Sequence, residues 1–335
     1  MPSFHSLSLE LVQEIVDQLC LHCTSPEPWQ RIYEELGILK RDRKTDSHIA
    51  TLTSLCLTSR WLNDIATRRL YHRPSCAKWW LLARTLIARR DIAQYVKQLN
   101  IGDFLPPDTS IPREVSEYYI EKRLPHVQAL PEAEHANFLA DIEEKVTSGE
   151  INTVVNILIS LCPNLENLDT TISYFEVFSF CLPQSIAAVK NLAVNYEDLE
   201  CGIRFEGLMA FFLAAPNLTA IHCFALEICD GLPLTLDHVT LLDLQDSCIS
   251  TDSLANILRA CPRLETLKYI AGGPSFGDEQ FDPQDAKDVI LEHAPNLKYF
   301  NLDMIKDTTR GWDEEVFSDA RKGLAERNID FLFTW

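Results

Sequence analysis

A four-residue box occurs four times in this chain and sets its course. It reads Cys162-Pro163-Asn164-Leu165, Ala215-Pro216-Asn217-Leu218, Cys261-Pro262-Arg263-Leu264 and Ala294-Pro295-Asn296-Leu297. Each box closes an apolar run with helical spacing, such as Val154 to Ile159 or Leu254 to Leu258. Each also opens an alternating segment, such as Leu264-Glu265-Thr266-Leu267. Proline has no N–H to give a helix, and it forces the residue before it out of the helical region. A small Cys or Ala before the proline fits a tight corner. The chain is therefore expected to repeat helix, proline corner, strand.

The boxes then serve as a ruler. An apolar-x-x-apolar-x-apolar pattern fits Leu218/Ile221/Cys223, Leu264/Leu267/Tyr269 and Leu297/Phe300/Leu302, and less well Leu165/Leu168/Thr170. Copies without the box are Val96/Leu99/Ile101, Val189/Leu192/Val194, Val239/Leu242/Leu244 and a ragged Ile329/Leu332. From 165 to 189, 218, 239, 264, 297 and 329 the steps are 24, 29, 21, 25, 33 and 32 residues. The pattern resembles a degenerate leucine-rich-repeat array, whose units recur about every 20–29 residues. The asparagine that usually comes after the strand motif is mostly missing. One unit cannot bury its own apolar face, so units stack into a solenoid with strands concave and helices convex. The alternative is an ordinary α/β domain with parallel strands, which the same periodicity supports.

Length and charge narrow the function. A chain of 335 residues can hold about two domains. Thirty Lys and Arg against 49 Asp and Glu leave a net charge of −19. A surface so acidic repels phosphate backbones, so no nucleic-acid partner is expected. No apolar run approaches the ~20 residues of a membrane span, so no membrane role is expected. The N-terminus lacks the basic flank and apolar core of a secretory signal. The 11 cysteines read as small apolar filler in a reducing compartment, cytoplasmic or nuclear, because Cys162 and Cys261 share a repeat slot with Ala215 and Ala294.

Ahead of the repeats lie two amphipathic stretches. In residues 5–19, Leu7, Leu11, Ile15 and Leu19 fall four apart on one helical face, with Leu9, Val12 and Val16 beside it. Ser6 or Ser8 can cap the start, and Glu10 suits the first turn. Residues 49–66 form a second helix or helix pair through Ile49, Leu52, Leu55, Leu57, Trp61, Leu62 and Ile65. The run from Leu7 to Leu19 resembles the first half of an F-box, and Leu52 to Ala66 resembles its second half. The stretch Trp79 to Leu99 is similar to the segment after the F-box in many fungal F-box proteins with leucine-rich-repeat tails. This chain departs twice: Ser8 stands where the family usually has proline, and an insertion at about 21–47 separates the halves. That insertion reads as a loop with one short helix, Trp29 to Leu39. A second insertion, at about 106–149, breaks the repeat and carries charged helical stretches at 114–124 and 133–146. The expected fold is therefore α/β, an F-box-like helical domain over 1–75 and then a leucine-rich-repeat-like solenoid over 76–335.

The resemblance implies a substrate-recognition subunit of a cullin-type ubiquitin ligase, without catalysis of its own. Leu7, Leu9, Leu11, Ile15 and Leu19 on the first helix, with Leu55, Leu57 and Leu62 on the second, would pack on the Skp-family adaptor, and through it on a cullin. The residues between the apolar strand positions point to the concave face. Among them Asn195, His222, Phe224, Asp243, Lys268, Tyr299 and Asn301 mix aromatic anchors with polar groups and suit an unidentified target protein. Leu241 and Ile270 are also apolar at positions expected to be wet; a covering loop or the C-terminal tail is the other explanation. A protein-binding scaffold without a ubiquitin role remains the alternative function, its N-terminal helices acting only as a cap.

Two chemical strings are weaker. Gly273-Pro274-Ser275-Phe276-Gly277 matches the serine-hydrolase string, which needs a helix directly after the serine. Here Pro274 precedes the serine, the next helix waits until about Pro283, and the only later histidine is His293. It reads as a repeat loop. Cys20-Leu21-His22-Cys23 has zinc half-site spacing, but a structural site needs four ligands and the sequence offers no second close pair. Cys56 and Cys76 have no partners beside them. The string reads as a helix end with buried cysteines, so no metal and no cofactor are expected.

Overall fold

The computed structural model describes residues 7–24, 43–101, 113–127, 140, 144–145, 151–172, 178, 181, 183–196, 202–272, 283–304 and 314–334. Among the described residues the fold is α/β, with a mostly parallel sheet of eight strands and no closed barrel. The chain divides into two compact units, Met1–Gly149 with Ile157–Asn167, and Glu150–Asn156 with Leu168–Trp335. The expected helices at Trp29 to Leu39 and 133–146, and the Gly273 to Gly277 string, fall wholly or mostly outside the described residues.

The first unit begins with α1 (Leu9–Asp17) and the single turn α2 (Leu21–Thr24). The second amphipathic stretch is a helix pair, α3 (Arg43–Thr58) and α4 (Arg60–Leu70). Thr58-Ser59 breaks it because Ser59 is extended and accepts a hydrogen bond from the Leu62 N–H at 3.2 Å, capping the new helix. Val12 and Val16 from α1, Leu52 from α3, and Leu62 and Ala66 from α4 form one core, with Leu19, Leu55 and Ile65 packed against it. Further along come α5 (Trp79–Ala88), α6 (Arg90–Ala93), β1 (Gln98–Ile101) and α7 (Arg113–Val127). Trp79 is fully buried.

The second unit takes its order from the proline corners. Its strands are β2 (Asn167–Ile172), β3 (Asn191–Tyr196), β5 (Ala220–Phe224), β7 (Leu241–Ser247), β8 (Thr266–Ala271), β9 (Tyr299–Met304) and β10 (Asp330–Thr334). They lie side by side in that order, and each registered pair from β3 onward is parallel. Two short strands, β4 (Ile203–Arg204) and β6 (Leu226–Ile228), form a separate pair. The helices between are α8 (Ile151–Leu161), α9 (Met209–Ala214), α10 (Thr251–Ala260), α11 (Pro283–His293) and α12 (Glu314–Glu326). Consecutive α10, α11 and α12 pack on one another.

Each box makes the same corner. The leucine N–H donates to the carbonyl of the residue before the proline, at 3.2 Å in the first and second boxes, 3.1 Å in the third and 3.3 Å in the fourth. Ala215 and Cys261, just before proline, share φ −115, with ψ 66 and 68. They have left the helical region, as the next ring requires. The four small residues and the four leucines are all buried. The box asparagines reach back to an earlier segment: Asn217 Nδ2 donates to the Ala187 carbonyl at 2.9 Å, and Asn296 Nδ2 to the Pro262 carbonyl at 2.8 Å. Each tie runs from the corner before one strand to the segment before the strand it pairs with.

One close approach is specific to this unit. Gly202 is buried, and a Cβ there would stand 2.3 Å from Glu227 Cβ and 3.0 Å from the Ala225 carbonyl oxygen. Gly202→Ala is expected to lower stability by about 1–3 kcal/mol through overpacking. Urea denaturation of the full chain reads this as a lower midpoint with an unchanged slope.

Candidate functional site

The N-terminal surface is built by α1. Ser8 caps this helix, its hydroxyl accepting from the Leu11 N–H at 3.4 Å. Its φ of −66 is the value a proline ring imposes. Val12 and Val16 turn into the core, which leaves Leu11 50% and Ile15 43% exposed. Leu7 and Leu9 are exposed beside them, and Leu57, near the end of α3, is 83% exposed. Large apolar side chains concentrated on one short helix are unusual on a free surface.

Three expected members of this set sit differently. Leu62 is 7% exposed and belongs to the core. Leu19 and Leu55 are half-buried against that core. The reason is geometric. Leu19 lies past the Gln18 end of α1, in the turn where its N–H donates to the Val16 carbonyl at 3.0 Å, and that turn carries it against the core. Leu62 lies where α4 meets its partners. The exposed members of the set are Leu7, Leu9, Leu11 and Ile15 on and beside α1, and Leu57 near the end of α3.

The end of α1 is fixed to the end of α4. Asp17 and Arg69 make a two-pronged ion pair, one prong from Arg69 Nη2 at 3.1 Å and a shorter one from Arg69 Nε. The Asp17 carboxylate raises the Arg69 guanidinium above its already high value.

Beyond this pair lies the one group among the described residues with metal-ligand chemistry. Cys20, Cys23 and His72 bring their ligand atoms within 4.8 Å of one another. Burial pulls His72 down to about 4, with Arg69 adding to the shift. Burial and then the neighbouring Cys20 push the Cys23 thiol up. His72 lay outside the sequence reading because it is 49 residues from Cys23.

On the second unit, strand register aligns the expected target-binding residues. His222, Asp243, Lys268 and Asn301 form one row across β5, β7, β8 and β9. Tyr299 stands in the adjoining row beside Thr266, and Phe224 beside Gln245. The expectation that all of these face water is corrected. His222 is 5% and Asp243 4% exposed. Asn195, Phe224, Lys268, Tyr299 and Asn301 are half-buried. Charge compensation explains the buried carboxylate: Gln245 Nε2 donates to Asp243 Oδ1, His222 Nδ1 is 3.4 Å from Oδ2, and Lys268 Nζ is 3.9 Å from it. The accessible part of the row is Lys268 and Asn301, with Tyr299 and Phe224 flanking.

His293 is the only histidine after the Gly273 to Gly277 string. It is half-buried on α11, with Nε2 3.1 Å from Arg259 Nη2. Cys20, Cys23, Cys56, Cys162, Cys223, Cys229 and Cys261 are free thiols. Burial raises Cys162 and Cys223, and raises Cys229 and Cys261 to about 12, so they behave as apolar filler. No helix among the described residues is long and apolar enough to cross a membrane. Compared with models of known protein families and with curated proteins, the chain has no match in either.

Proposed function

We propose that this chain is a substrate-recognition subunit of a cullin-type ubiquitin ligase, with an F-box over its N-terminal helices and a leucine-rich-repeat-like solenoid after it. The observation that carries the reading is the apolar stripe on α1. Val12 and Val16 already satisfy the core, yet Leu7, Leu9, Leu11 and Ile15 stay exposed. A helix that only capped a repeat array would turn its large apolar side chains inward. The stripe lies in the stretch that resembles the F-box, so its occupant in this reading is the Skp-family adaptor, which joins the chain to a cullin. Ser8 fits the same reading. It holds the φ of the proline it replaces and adds a side-chain cap.

In this reading the repeat strands hold the target. Lys268, Asn301, Tyr299 and Phe224 provide a polar and aromatic patch suited to a protein surface. The strictly sequential parallel strands and repeated proline corners favour stacked repeats over a doubly wound sheet, whose strand order reverses. The chain would act by proximity, raising the concentration of a bound target near the charged ubiquitin carrier. The test is co-purification of the full chain with a Skp-family adaptor, beside the Leu11→Asp, Ile15→Asp double variant. Capture by the wild type and loss in the folded variant is the expected result. Absence of capture by a folded wild type would leave a binding scaffold as the function.

A further inference from the structure

We propose that Cys20, Cys23, His72 and His22 form a structural zinc(II) site that staples the end of α1 to the end of α4. His72 Nδ1 lies 3.6 Å from Cys20 Sγ and 3.4 Å from Cys23 Sγ. Zinc holds thiolate at about 2.3 Å and imidazole at about 2.0–2.1 Å in a tetrahedron, which places sulfur and nitrogen ligands about 3.5 Å apart. The three atoms thus stand at metal-ligand separation around a shared centre.

The backbone carries them there rigidly. Cys20 stands just before the single turn α2, and its carbonyl accepts from both Cys23 N–H and Thr24 N–H at 3.0 Å. The turn points Cys20 and Cys23 the same way, as the two-residue gap of zinc half-sites does. His72 comes just after α4, and its carbonyl accepts from the Lys97 and Gln98 N–H groups at 3.0 and 2.9 Å. That pair of bonds fixes the ligand arriving from the far end of the unit.

His22 supplies the fourth ligand. Its ring meets His72 edge to face, with centroids 5.3 Å apart. Its Nδ1 is buried without a hydrogen-bond partner. Its Nε2 faces Glu166 Oε2 at 3.8 Å, and Lys97 Nζ holds the other carboxylate oxygen at 2.7 Å. That 3.8 Å gap is longer than a hydrogen bond, so Glu166 attracts the ring without fixing it and leaves room for Nδ1 to turn to the metal, with Nε2 then free to take up the carboxylate. His22 lies outside the 4.8 Å group, so Nδ1 closes on the metal by a ring movement as the ion binds. Two thiolates neutralise a dication, so the nearby Arg69 and Lys97 do not oppose the loaded site.

On binding, each thiol loses its proton to solvent as its sulfur bonds the ion, and both imidazoles bind neutral. The test uses the full chain, purified under reducing conditions and analysed for zinc. About one zinc per chain is expected, falling at least about tenfold in Cys23→Ser and His72→Gln. Cys76→Ser, outside the group, should retain it. His22→Ala should weaken zinc at least about tenfold; unchanged affinity would overturn its assignment as fourth ligand.

Two readouts on the wild type cover the case in which a variant fails to fold. Cobalt(II) in place of zinc should give the intense visible bands and thiolate charge-transfer absorption of a tetrahedral sulfur site. Zinc should slow alkylation at Cys20 and Cys23 alone, read by peptide mass spectrometry. A chain that takes up no zinc, a cobalt spectrum without thiolate bands, or equal alkylation with and without zinc would each overturn the site.

Discussion

Leu11→Asp combined with Ile15→Asp is expected to remove adaptor binding while the chain stays folded. Both side chains are about half exposed, so the free chain loses little packing. An aspartate at position 11, in the first turn of α1, even suits the positive end of the helix dipole. The docked state loses much more. Burying each apolar side chain on a partner contributes about 1.5–3 kcal/mol, and a carboxylate forced into the same contact adds a desolvation penalty. A combined loss beyond about 3 kcal/mol weakens binding more than about 100-fold. The opposite outcome is expected one residue away. Val12→Asp places a charge in the core formed with Leu52, Leu62 and Ala66, and should unfold the N-terminal helices. Circular dichroism and pull-down on the two variants separate a docking face from a core face.

The second large effect lies in the proline boxes. Leu264→Ala should cost about 2–5 kcal/mol, from lost burial and the cavity left behind. Leu264 is almost wholly buried, and its N–H closes the corner onto the Cys261 carbonyl at 3.1 Å. If the strands form stacked repeats, as proposed, each shares its core with its neighbours and the loss should spread to both adjoining strands. Cys261→Ala in the same box should cost only about 1 kcal/mol, because Ala215 and Ala294 already fill that slot elsewhere. A denaturant series on both variants reads the contrast directly.

The parts of this fold legible in the sequence are those set by local rules. Proline fixes the corner wherever it stands, so the four boxes locate the helix ends and the strands after them. The copies without proline, at Val189 and Val239, stand out by apolar spacing alone and lead into β3 and β7. What was not legible depends on contacts from distant chain. Alternation puts His222 and Asp243 on the second face of the sheet, but it does not say whether that face is covered; both are buried. Leu62 lies on the expected helix and Leu19 just past the end of one, yet the side each presents depends on how three helices cross. The Cys20 to Cys23 string lacks a partner in sequence because His72 arrives only through the fold. Its place at the end of the second amphipathic stretch was the one available clue. The asparagine of the box is likewise visible, but its tie to the carbonyl of an earlier segment required coordinates.

The most direct measurement is calorimetric titration of the folded full chain with a purified Skp-family adaptor at several temperatures. The F-box reading predicts saturation at about one adaptor per chain and a negative heat-capacity change, as Leu7, Leu9, Leu11 and Ile15 leave water. No saturable binding by a chain shown to be folded would contradict it.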